Sequence, residues 1–171
     1  MSHLPLILSL KLDQITFERF NELRQRHFPS ERNFLPAHVT LFHKLPGDRE
    51  ADIQQTLQEL GDMTPVLPLH FPSVRSLGQG VAIELQCPEL VELRNQLARE
   101  WSSWLSAQDR QGYRPHITIQ NKVSAGEAQQ LYRHLLNQWQ PLEGRGEGLL
   151  LWRYEGGPWT LVNEVLFVVN G

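Results

Sequence analysis

Two short runs in this 171-residue chain carry the same reactive side chains at the same spacing. His38-Val-Thr40-Leu-Phe-His-Lys44 and His116-Ile-Thr118-Ile-Gln-Asn-Lys122 agree at His, Thr and Lys, each pair 78 positions apart. An extended strand points residues i and i+2 to one face, about 7 Å apart. Each run therefore presents an imidazole beside a hydroxyl, with Val39 and Leu41, or Ile117 and Ile119, on the other face. Imidazole exchanges its proton near neutrality, and a hydroxyl donates to an anionic oxygen without adding charge. Two of each around one centre suit the in-line cleavage of a phosphate ester. One imidazole takes the proton of the attacking hydroxyl and the other gives one to the leaving oxygen, with no metal required.

The charge around the runs points the same way. Residues 32–47 hold Arg32 and Lys44 and no carboxylate, and residues 110–126 hold Arg110, Arg114 and Lys122 and again none. These windows carry +2 and +3 in a chain of net charge −3, leaving −8 for the rest, so an anion is their natural guest. Lys44 and Lys122 share the parity of the histidines and either bind substrate at the rim, with Arg114, or simply end the strands in solvent. Phe42, with that same parity, Tyr113 and Phe34 are candidates to stack on a base, although an aromatic residue near a strand end more often belongs to the core. His43 has the parity of Val39 and Leu41, which predicts a structural role. No carboxylate or cysteine accompanies His38 and His43, whereas zinc takes three or four such ligands, so no metal site is expected.

The elements that must position these residues follow from hydrophobic period and capping. Residues 4–12 read as a strand with Leu6, Leu8, Leu10 and Leu12 on one face, and Asp13 caps a helix running to about His27. A strand over 37–44, a helix opening at Gly47-Asp48, and Pro-rich strand-like material over 66–77 complete the first half. After the turn at 78–80 the order repeats: a strand over 81–86, an amphipathic helix over 88–106, a strand over 113–121, and a helix started by the capping box Ser124-Ala125-Gly126-Glu127. Closing strands over 148–154 and 159–169 flank the turn Gly156-Gly157-Pro158. The glycines at 144, 146 and 148 precede a strand, whereas a dinucleotide loop follows one, so they are expected to form a flexible loop.

Each half reads as a split β-α-β module. The expected fold class is α+β: two pseudo-symmetric lobes, about 1–80 and 81–171, each an antiparallel sheet with helices on its outer face, around a central cleft. Terminal strands can exchange between the lobes. A chain of this length makes one domain, 1–171. Its 40% hydrophobic content builds a core, and 20% charged residues are too few for a disordered chain. The single cysteine, Cys87, excludes an internal disulfide and suits a reducing compartment. The apolar stretch over 4–10 falls far short of the roughly 20 residues that span a bilayer. A cytoplasmic monomer without membrane attachment is expected.

The paired histidine-x-threonine motifs, hydrophobic at the intervening positions, and the two-half layout resemble the 2H phosphoesterase superfamily, which includes bacterial 2'-5' RNA ligase-like proteins and cyclic phosphodiesterases. The resemblance covers essentially the whole chain. Its motif pair is specific, and the remainder agrees mainly in element order. It implies His38 and His116 as acid and base, and Thr40 and Thr118 as the hydroxyls that hold the phosphate. It also makes Arg75 a candidate, because the family often has a basic residue in that region. The implied activity is that of a cofactor-free, metal-independent phosphoesterase on RNA ends or nucleotide cyclic phosphates, above all opening 2',3'-cyclic phosphates to 2'-phosphates, with reversible 2'-5' RNA ligation by the same pair. The rival reading is a non-catalytic RNA- or nucleotide-binding module of two RRM-like halves. No strand carries the RNP1-type run of Lys/Arg-Gly-aromatic residues such a module needs.

Overall fold

The computed structural model describes residues 3–169 and contains, within them, the expected alternation of strands and helices. β1 (Leu6–Leu12) is buried on both faces except at Lys11, because it lies inside a sheet. Asp13 then accepts the N–H of Thr16 at 3.3 Å and starts α1 (Gln14–His27), whose inward face is Thr16, Phe20 and Arg24. β2 (Val39–Leu45) carries the first motif and leads to α2 (Glu50–Met63), which buries Ile53, Leu57 and Leu60. β3 (Leu67–Phe71), β4 (Val74–Ser76) and β5 (Val81–Glu84) follow.

In the second half, α3 (Pro88–Glu100) has proline in its first turn, where the missing N–H costs nothing. It ends earlier than its hydrophobic period suggests: Trp101 and Leu105 still enter the core, but from turns. β6 (His116–Gln120) carries the second motif, and Ser124 caps α4 (Ala125–Gln138) by accepting the N–H of Glu127 at 3.1 Å. β7 (Leu142–Tyr154) and β8 (Trp159–Leu166) close the chain.

Two antiparallel sheets result, and the fold is α+β with helices flanking them around a cleft. The larger has the order β2-β1-β7-β3, with β8 pairing the second half of β7; the smaller is β4-β5-β6. The last two strands thus complete the sheet begun by β1, while β4 joins β5 and β6. The glycines at 144, 146 and 148 are not a flexible loop but part of β7. At Gly148 a Cβ would collide with the main-chain oxygen of Val165 on β8, so the close approach of the two backbones requires glycine there. Side chains of both sheets, among them Leu8, Phe42, Leu69, Ile83 and Ile117, form one continuous core with Trp101.

Candidate active site

β2 is an edge strand of the larger sheet and β6 an edge strand of the smaller, and they run alongside each other. Between the sheets lies a cleft of about 480 Å³, lined by His38, Thr40, His116 and Thr118 together. The two motifs are held alike. His38 donates Nδ1–H to the carbonyl of Pro36 at 2.8 Å, and His116 donates Nδ1–H to the carbonyl of Arg114 at 2.9 Å, in each case two residues back. A carbonyl only accepts, so Nδ1 keeps its proton in both charge states and Nε2 is the nitrogen that titrates.

Both imidazoles are half-buried, which shifts each toward its neutral form. Burial pushes His38 down to about 4; the Pro36 carbonyl opposes this, and the Arg24 guanidinium, His43 and His116 add to it. His116 is also lowered by burial, with Arg75 and His43 adding and the Arg114 carbonyl and Glu84 opposing.

Of the cations expected at the rim, Arg75 and Arg114 line the cleft, and both reach one carboxylate oxygen of Glu84, at 3.5 and 2.7 Å. Lys44 instead borders a separate surface depression beside Pro46 and Gly47, and Lys122 lies beyond the end of β6 in a left-handed conformation (φ 61°). Tyr113 lines the cleft, but its hydroxyl is committed to the carbonyl of Thr40 at 2.9 Å, and burial pushes the phenol well above its ordinary range. It braces β2 as a neutral donor.

Phe42 is not a stacking platform. It is 0% exposed and packs edge-on against Trp101, 5.4 Å between ring centres, in the core. The cause is a bulge. Leu8 pairs with Phe42 while the next residue, Ser9, pairs with Thr40, so β2 has one more residue than β1 at Leu41 and its alternation inverts. The bulge is repeated 78 positions later, where Val81 pairs with Gln120 and Ala82 with Thr118, and Gln120 turns inward as Phe42 does.

The same inversion turns His43 outward, contrary to the structural role its parity predicts: it is exposed on the cleft wall and its Nδ1 lies 3.2 Å from Asp109. Asp109, missed in the sequence, sits one residue outside a window free of carboxylates. Trp159, also missed, opens β8 at the end of a hairpin and covers His38, with ring centres 4.8 Å apart. On the far side of His38 and Trp159 an apolar pocket of about 330 Å³ is lined by Phe17, Phe34, Leu150 and Trp152.

A model of the 2'-5' RNA ligase superfamily matches residues 13–158. The chain belongs to this superfamily, the 2H phosphoesterases. No curated protein matches it. Among solved structures this 2H phosphoesterase is similar to TT0787 of Thermus thermophilus, with a TM-score of 0.69 and 16% identity over 95% of this chain and 97% of that one. It is also similar to E. coli LigT complexed with 3'-AMP, with a TM-score of 0.66 and 17% identity over 98% of this chain and 99% of that one. At such identity the likeness shows a shared fold. Membership makes the chain a phosphoesterase in the general sense. Among the described residues, no three His, Cys, Asp or Glu side chains converge as metal ligands, and no helix is long and apolar enough to cross a membrane.

Proposed function

We propose that this 2H phosphoesterase opens 2',3'-cyclic phosphate ends of RNA, or of nucleotides, to 2'-phosphates, and that the same site, with a 5'-hydroxyl attacking in place of water, joins a cyclic phosphate to that hydroxyl through a 2'-5' linkage. The observation that carries this reading is the matched pair of imidazoles, each with Nδ1 tied to the carbonyl two residues back, lining one cleft.

In the hydrolytic direction, water attacks phosphorus and gives its proton to Nε2 of one histidine. The P–O3' bond breaks, and the other histidine, protonated, gives its proton to O3', leaving the phosphate on O2'. His38 is the base and His116 the acid, because His38, beneath Trp159 and beside the Arg24 guanidinium, is the more strongly held neutral. The hydroxyls of Thr40 and Thr118 donate to the non-bridging oxygens, and Arg75 and Arg114 supply positive charge. The base stacks in the apolar pocket on Trp159 and Phe34.

The test is to incubate the protein, with EDTA present, with the four nucleoside 2',3'-cyclic phosphates and with a 2'-5'-linked dinucleotide, and to identify the products. Nucleoside 2'-phosphates formed at an undiminished rate are expected. Formation of 3'-phosphates, or turnover abolished by EDTA, would overturn the reading.

A further inference from the structure

The cleft holds a third imidazole that the acid–base pair does not use. His43 stands exposed on its wall, and the carboxylate behind it is built in. Asp109, 1% exposed, accepts the main-chain N–H of His43 at 2.8 Å and that of Lys44 at 2.9 Å, and lies 3.2 Å from His43 Nδ1. Its own carbonyl accepts from Nη2 of the buried Arg94 at 2.6 Å. Burial opposes ionisation of Asp109, but the bonds from His43 and Lys44 more than offset it and hold the carboxyl below its usual range. An ionised carboxylate only accepts, so Nδ1 of His43 carries a proton and Nε2 is left for a ligand.

His43 also stands apart from the phosphate under attack. It lies three residues beyond Thr40 on β2, roughly 7–10 Å along the strand given the bulge at Leu41, which exceeds the span of a single phosphate group. The charged and titratable groups that share the cleft with it are the imidazoles of His38 and His116, the guanidinium groups of Arg75, Arg94 and Arg114, the Tyr113 phenol and the Asp109 carboxylate; Glu84 is engaged by Arg75 and Arg114. Apart from Asp109, the charged groups that line the cleft are therefore basic, and a second anion is their complement.

We propose that His43, anchored by Asp109, binds a second phosphate of the substrate by donating Nε2–H as the imidazolium, so that the site prefers nucleotides carrying a phosphate besides the one that reacts. This rests on the reading of the cleft as a phosphoesterase site.

The experiment measures binding of a nucleoside 2'-phosphate and of the same nucleoside 2',5'-bisphosphate by calorimetry, for the wild type and for His43→Gln. Glutamine can still donate to Asp109, so the fold is retained. The wild type is expected to prefer the bisphosphate and His43→Gln to lose about tenfold of that preference, a typical effect of one charge-assisted hydrogen bond. Affinity for the monophosphate should be unchanged, which separates binding from a merely structural role. A wild type that binds both ligands without preference, or a variant that keeps the preference, overturns the inference and leaves the phosphoesterase reading intact. A wild type that binds neither ligand overturns both.

Discussion

Arg24 of α1 donates Nη1–H to the main-chain carbonyl of Thr118, 2.9 Å away, so a helix from the first half of the chain fixes the motif strand of the second. The reverse tie exists as well: Arg94 of α3 donates Nε–H to the carbonyl of Leu41 on β2 at 3.2 Å. Both arginines are buried, 4% and 5% exposed, and Arg24 also donates to Leu35 and Asn33 in the loop that leads to His38. Edge strands of separate sheets have no ladder to bind them to each other, and these two guanidinium groups supply that link.

Arg24→Met should therefore strand three acceptors at once. Each unsatisfied buried group costs about 1–3 kcal/mol, so the variant is expected to lose about 3 kcal/mol or more of stability in denaturant unfolding, and turnover with it. Unchanged stability and unchanged turnover would remove the arginine from the positioning of the motifs.

The histidines and threonines should differ in kind. General acid–base catalysis contributes roughly 10² to 10⁴-fold, so His38→Ala and His116→Ala should each lower kcat by that order, and the double variant by much less than the product. Thr40→Ala and Thr118→Ala, each losing one hydrogen bond to a charged oxygen of about 1.5–3 kcal/mol, should act more mildly. Steady-state kinetics on a 2',3'-cyclic nucleotide decide it, and near-wild-type kcat in either histidine variant counts against the mechanism.

Two pH dependences follow from the lowered imidazoles. Catalysis needs one protonated and one neutral, so kcat/KM should be bell-shaped with its alkaline limb below the ordinary imidazole range near about pH 6.5. Stability follows the same shift. Above about pH 6.5 neither folded nor unfolded His38 binds a proton. As the pH falls, the unfolded chain takes up a proton that the folded one refuses down to about 4, and stability declines across that window. His38→Gln should flatten the decline in a pH series of melting temperatures, whereas an unaltered slope would mean that burial does not govern this imidazole.

Trp159→Ala should raise KM and spare kcat if the ring carries the base, since a stacked base is worth about 1–3 kcal/mol. Titration with a nucleoside 2'-phosphate should quench tryptophan fluorescence in the wild type and less so in the variant. A fall in kcat at constant KM would mean that Trp159 acts through His38 instead.

The motif pair and the order of elements were legible in the sequence because both rest on short-range pattern: His and Thr two apart, leucines at helical spacing, Asp13 and Ser124 as caps. The misplacements of Phe42 and His43 have one origin, the bulge at Leu41; a second register shift, opposite Ile7, leaves Lys44 exposed and returns Leu45 to the core. That bulge is set by the pairing of β2 with β1, about thirty residues earlier, and unbroken alternation gives no sign of it. Asp109 and Glu84 stand outside the acid-free windows in sequence but against the cleft in space, so local charge overstated how free the cations are. Trp159 needed the β7–β8 hairpin to bring it over His38, which no spacing near the motif announces.

β1 is held on one side by β2 and on the other by β7, with Leu6 opposite Arg153 and Leu12 opposite Gly146. During synthesis, β2 can settle on β1 early, but the other edge of β1 stays open until β7 has left the ribosome. Such long-range closure is slow, and meanwhile an apolar strand edge is uncovered. A nascent chain halted between His116 and β7 already contains His38, Thr40, His116 and Thr118, but its larger sheet is unfinished and neither Trp159 nor the pocket beside His38 yet exists. The pocket beside His38 is thus assembled only once β8 has paired with β7, after both motif strands have been made.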